Sequence, residues 1–163
     1  YSDEVLAPKL DPDVLEEIMA FENLEDYTNE RYMELVVNNY YTKHIIRLPV
    51  DEWPEPLNRS FKHINTDVYV TMQGPSEFGI KGDANLKEWD VKADLHKISV
   101  PTLSIGATHD TMDPAQMKFI SEEVQNGRFL LCPNGSHLSQ FDDQKTYFEG
   151  LIQFIKEVDN GTF

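Results

Sequence analysis

Two short apolar runs limit what this chain can fold into: "VPTLSIG" at residues 100–106 and "RFLLC" at 128–132. Each is bounded by turn formers and is too short for a helix, which is the look of a strand buried on both faces in a parallel sheet. Between them Met117, Ile120 and Val124 recur at helical spacing, with Gly127 placed as a stop. After the second run come a polar loop, "PNGSH", and a helical pattern carrying Phe148, Leu151, Ile152, Ile155 and Val158. The order β-α-β-loop-α is that of a doubly wound α/β sheet. Two strands make a poor sheet alone, so residues 99–163 are expected to form one edge of a larger one.

The amino-terminal part, to about residue 75, reads as helical and shows no convincing strand. Asp11-Pro12-Asp13 is a helix start, with a capping acid and Pro at the first helical position, followed by Val14, Leu15, Ile18 and Met19. A second helix is expected from about Asn29, with Met33, Val36, Val37, Tyr40, Tyr41 and His44 on one face. "WPEPLNRSFKHI" starts a third after its prolines, and "DVYVTMQG" a fourth that stops at Gly74-Pro75. Such an aromatic-rich helical unit suits a small domain or a cap over something else.

Composition narrows the partners. Fourteen basic against 29 acidic residues give a net charge of −15, which argues against nucleic acid or an anionic membrane. Cationic or amine-bearing ligands would be favoured, although solubility alone accounts for such a charge. The single cysteine, Cys132, excludes an internal disulfide framework and reads as a buried thiol. No apolar stretch approaches membrane-spanning length and no signal-peptide pattern opens the chain, so a cytoplasmic location is expected. Asn-X-Ser/Thr triplets stand at Asn58, Asn134 and Asn160, at a frequency that chance also produces. The opening "YSDEVLAPKL" has no initiator Met and reads as entry into the middle of a longer protein.

In open α/β sheets the reactive groups gather at the carboxyl ends of strands. The stretch after the first strand, "GATHDTMDP", offers two acids. Asp113-Pro114-Ala115-Gln116 reads as a capping box, with Asp113 as N-cap, which accounts for Asp113 structurally. Asp110 has no such position to fill, and is either a loop acid or a functional one. His137 follows the second strand in "PNGSH", so acid and imidazole could meet at one sheet edge. A carboxylate on an imidazole fixes its tautomer and stabilises the imidazolium. The order Asp…His matches the last two members of the Ser…Asp…His order of α/β-hydrolases. His109 beside Asp110 and Asp113 has no clear third ligand, so no metal site is assigned. His44, His63 and His96 fit helix faces or loop surfaces.

"MQGPSEF", "LKEWDVKADLHKISVPTLSIGATHDTMDP", "CPNGSH" and "GLIQFIKEVDNG" closely resemble the carboxyl-terminal half of prolyl aminopeptidases (proline iminopeptidases). These are α/β-hydrolases with a helical cap that remove an N-terminal proline from peptides. The resemblance covers nearly the whole chain and is weakest over the first thirty residues. It implies an α/β fold in which residues 1–80 are the helical cap and 81–163 the carboxyl-terminal portion of the hydrolase core. It makes Asp110 the triad acid and His137 the general base. Glu77 of "GPSEF" becomes the ligand of the substrate's free amino terminus, and Glu34 of "RYMEL" a candidate second amine-binding carboxylate that equally suits a solvated helix face.

The chain departs from that pattern in one large respect. No Gly-X-Ser-X-Gly nucleophile elbow occurs in its 163 residues, and Ser136 lies in a loop after a strand, not in an elbow. The expectation is a serine exopeptidase acting on peptides with a free N-terminal proline, its nucleophile supplied by an amino-terminal half outside this sequence. Neither metal nor organic cofactor is needed. The alternatives are another α/β-hydrolase (an esterase or amidase) and a non-catalytic binding fragment.

Overall fold

Strands β1 (Thr102–Ala107) and β2 (Gly127–Cys132) pair in parallel, in register from Thr102 opposite Gly127 to Ala107 opposite Cys132. They are the only strands of the computed structural model, which describes residues 1–163. The chain divides into two units, Tyr1–Trp89 and Asp90–Phe163, a boundary past residue 80, where the resemblance puts the end of the cap.

In the second unit the crossover is the helix Pro114–Glu123. Asp113 caps it, accepting a bond from the Ala115 N–H at 2.8 Å, with Pro114 at the first helical position. Its far end differs from the sequence reading. The helix closes at Glu123, Val124 turns extended, and Gly127 is already the first residue of β2. Gly127 is there for space: a Cβ would lie 1.9 Å from the Ser121 carbonyl oxygen. The Ser104 hydroxyl donates to the Met117 carbonyl at 2.7 Å and ties the helix to β1.

The closing helix, Gln144–Asp159, lies so near β2 that a Cβ on Gly150 would stand 2.5 Å from Leu130. Its apolar face is only partly covered. Phe148 is 40%, Ile152 48% and Ile155 47% exposed, where the periodicity predicts an inward face. Two strands offer too little surface to cover a helix of this length.

The first unit is all helical. Asp11 caps the helix Pro12–Asn23 through the Asp13 N–H at 3.0 Å, and Asn29 caps Glu30–Val36 through the Arg31 N–H at 3.0 Å. The latter runs on through a π-helical turn, Val37–Tyr41, into Thr42–His44. Helices Glu55–Lys62 and Thr66–Met72 follow. The last stops at Gly74, whose φ of +114° favours glycine.

The earlier helices enclose a sealed core in which Ile18, Tyr32, Val36, Tyr40, Ile46 and Phe78 are each 0% exposed, whereas Thr66–Met72 buries none of its side chains. Burial of each such side chain contributes about 1.5–3 kcal/mol. Tyr40 meets Phe78 edge-on at 4.9 Å, and His44 is buried against Tyr40 on the same helix face. Polar groups at this core are paired. Lys81 bridges Asp3 at 2.6 Å and the buried Glu22 at 3.0 Å, and the Tyr32 hydroxyl donates to Glu22 at 3.1 Å. No helix of the chain is long and apolar enough to cross a membrane.

Candidate active site

The parallel ladder carries on past the strand ends. The Thr108 N–H donates to the Cys132 carbonyl at 3.2 Å, and the His109 N–H to the Gly135 carbonyl at 3.1 Å. These two bonds bring the loop after β1 beside the loop after β2, so one residue later on one loop and two later on the other, Asp110 and His137 face each other. His137 Nδ1 lies 2.9 Å from Asp110 Oδ1. The sequence spacing therefore delivers the pair it promised.

Asp110 is buried, at 6% exposure, although it stands in a loop. The same Oδ1 accepts the Met112 N–H at 2.9 Å and the Thr111 hydroxyl at 3.3 Å. Donors of this kind fix the direction of the carboxylate. An ionised carboxylate can only accept, so a bond between the two has the ring donating from Nδ1. The His137 side chain is about a third exposed.

Two acids absent from the sequence reading hold the His137 loop. Asp142 accepts the Ser136 N–H at 3.0 Å and, through its other oxygen, the Ser136 hydroxyl. Asp143 accepts the Asn134 N–H at 3.0 Å and the Thr146 hydroxyl at 2.8 Å. Ser136 is 0% exposed. Buried, and with its proton committed to Asp142, its hydroxyl is not placed to serve as a nucleophile. The signal for this clamp, "DD" five and six residues after the histidine, is visible only once the short helix Ser139–Asp142 turns the chain back.

Within the helical unit, Glu77 is half-buried and held at both oxygens. The Tyr69 hydroxyl donates to Oε1 at 2.5 Å and the Gln73 amide to Oε2 at 2.6 Å. The Glu77 N–H in turn donates to the Tyr41 hydroxyl at 2.9 Å. Burial, then the Glu77 carboxylate, push the Tyr69 phenol far above its ordinary range, so it stays protonated and a donor. Burial likewise raises Tyr41. Both tyrosines also wall a cavity of about 320 Å³ with Met33, Val37, Trp53 and Phe61. Glu34 is placed differently: it is exposed and paired with Arg31 at 3.0 Å, which also binds Glu17 at 2.9 Å. Glu34 and Glu77 share no partner.

With this geometry in view, the comparisons with known proteins are specific. The chain is 55% identical over 160 residues to a proline iminopeptidase of Elizabethkingia meningoseptica, a match covering 98% of this chain and 53% of that protein. One from Chitinophaga pinensis is 49% identical over 162 residues, covering 99% of this chain and 54% of the relative. One from Saccharolobus solfataricus is 34% identical, covering 86% of this chain and 44% of the relative. The chain thus spans about half the length of the curated relatives it matches. Among solved structures, VinJ superposes with a TM-score of 0.86 at 28% identity, over 96% of this chain and 52% of VinJ. A proline iminopeptidase of Mycobacterium smegmatis superposes at 0.81 and 21% identity, over 99% of this chain and 53% of that one, a likeness of fold. No family model matches.

Proposed function

We propose, for a chain homologous to the carboxyl-terminal half of proline iminopeptidases and built as the corresponding part of an α/β-hydrolase, that it supplies the acid, the base and the amine ligand of a serine exopeptidase. The enzyme releases N-terminal proline from peptides, and its nucleophile comes from a part outside this sequence. The observation that carries the reading is the 2.9 Å bond between His137 and the buried Asp110.

In this mechanism His137 Nε2 takes the proton of the attacking serine hydroxyl as the tetrahedral intermediate forms. It then gives that proton to the leaving amine, and in the second half-reaction it activates water against the acyl-enzyme. Asp110 holds the ring in the productive tautomer and stabilises the imidazolium. No cofactor enters the scheme.

Glu77 binds the substrate's terminal nitrogen. An N-terminal proline is a secondary ammonium with two N–H donors. An ionised carboxylate has about four acceptor directions, and two of those on Glu77 are already used. The two remaining match the two donors. The aromatic-walled cavity beside Tyr41 and Tyr69 suits the apolar ring that such an amine carries. Glu77, not the solvated Glu34, is therefore our amine ligand. We assign the helical unit as the cap, the peptide substrate as the small partner, the nucleophile-bearing half as the large one, and the cytoplasm as the compartment.

Joining the chain to a nucleophile-bearing half and assaying a proline aryl amide tests this. Activity is expected from the joined enzyme and none from the 163-residue chain alone; brisk turnover by the chain alone overturns the division of the site. Glu77→Gln should raise KM for the free-amine amide at least tenfold while sparing a simple aryl ester. Equal effects on both substrates favour an esterase or amidase instead.

A further inference from the structure

Glu77 is mounted more firmly than its exposure requires. A glutamate on a half-open surface ordinarily samples several rotamers, and a ligand that needs one of them must freeze the rest. Here each carboxylate oxygen has its own neutral donor, Tyr69 at 2.5 Å and Gln73 at 2.6 Å, and the Glu77 main chain is fixed separately by its bond to Tyr41 at 2.9 Å. Tyr69 and Gln73 stand four residues apart at the end of one helix, which brings them to the same side. Gln73 also reaches the Tyr69 hydroxyl at 3.5 Å, so the two donors form one bracket.

Neither donor carries a charge, and this matters for an amine site. A lysine or arginine in either place would orient the carboxylate equally well but would neutralise it and repel an incoming ammonium. A phenol and an amide orient Glu77 and leave its full charge to the ligand. Tyr69 adds a second link, since its ring walls the cavity next to the carboxylate it holds.

Resting on the reading of Glu77 as the amine ligand, we propose that Tyr69 and Gln73 are its positioning residues, a neutral two-point bracket that sets selectivity for a free terminal amine without touching that amine. The bracket fixes the direction of the two unused acceptor sites on Glu77. Selectivity between a free and a blocked amino terminus therefore depends on it, whereas contact with the apolar ring does not.

The test titrates the full 163-residue chain with L-prolinamide and with N-acetyl-L-prolinamide, following the backbone amide signals of residues 74–78 by NMR. The wild-type chain should prefer the free amine, and Glu77→Gln should abolish the preference. Tyr69→Phe keeps the ring in the cavity wall, and Gln73→Leu keeps the side-chain bulk. Each should cut the preference roughly tenfold, by weakening the binding of L-prolinamide more than that of the acetylated ligand. If either variant loses the fold, the other still reports. A preference intact in both, with Glu77→Gln abolishing it, overturns the bracket and leaves the amine ligand standing. A preference that survives Glu77→Gln, or is absent from the wild-type chain, overturns both.

Discussion

In the helical unit Ile18, Tyr32, Tyr40 and Phe78 are sealed at 0% exposure, whereas along the closing helix of the α/β unit Phe148, Ile152 and Ile155 stay 40%, 48% and 47% exposed. The contrast follows from how each kind of structure meets its bonding needs. Helices close their hydrogen bonds internally, so a few of them can enclose a core between them, even while the helix Thr66–Met72 leaves Val68, Val70 and Met72 exposed. A parallel sheet must pair strand with strand and be covered on both faces. Two strands leave apolar surface for further layers to cover, in keeping with a chain that spans about half of its relatives. In our reading the helical unit does the recognising, and the α/β unit holds the proton-transfer pair.

This contrast can be broken by substitution. Ile18→Ala in the sealed core should cost about 2–5 kcal/mol in denaturant unfolding, while Ile152→Ala on the open helix face should cost no more than about 0.5 kcal/mol in the same chain. Similar costs at the two sites would erase the distinction. Asp113→Ala removes the cap of the Pro114–Glu123 helix and should lower stability by about 1 kcal/mol. It should leave the His137–Asp110 bond intact, visible as an unchanged His137 imidazole spectrum; a shifted spectrum would join the two acids that the structure separates.

The smallest effect concerns Lys81. Burial alone would lower its ammonium, but the hydrogen bonds to Asp3 and Glu22 and their charges outweigh it and hold the pKa above the ordinary value. A group raised on folding stabilises the fold fully below its unfolded pKa, about 10.4, and that contribution fades as pH rises through the folded value. Melting curves should therefore show an alkaline loss above about pH 10 that shrinks in Lys81→Met. An alkaline limb of the same size in that variant would contradict the assignment.

The framework was readable because its signals are local. Both strands were apolar runs fenced by Pro and Gly, and Asp113-Pro114 announced its helix. Asp110 and His137 could be matched since each follows a strand end and the strands are consecutive. What stayed hidden depends on contacts across space. Gly127 looked like a helix stop, yet its need is set by the Ser121 carbonyl of the preceding helix. The donors to Glu77 sit four and eight residues upstream in a segment that reads only as a short helix. Asp142 and Asp143 look like surface acids until the chain folds back to bind the His137 loop. Glu34 shows the converse case. Its carboxylate is exposed and paired with Arg31 one turn earlier, the solvated helix face that the sequence equally suits.

In our reading Asp110 is the group that makes His137 a base, and one measurement addresses it directly. In the enzyme joined from this chain and its nucleophile-bearing half, Asp110→Asn keeps the side chain's size but lets Nδ1 lose its proton to the wrong tautomer. We expect kcat for proline aryl amide to fall roughly 10⁴-fold, with the affinity for L-prolinamide unchanged. A fall of less than tenfold would show that His137 works without Asp110 and would contradict the assignment of the pair.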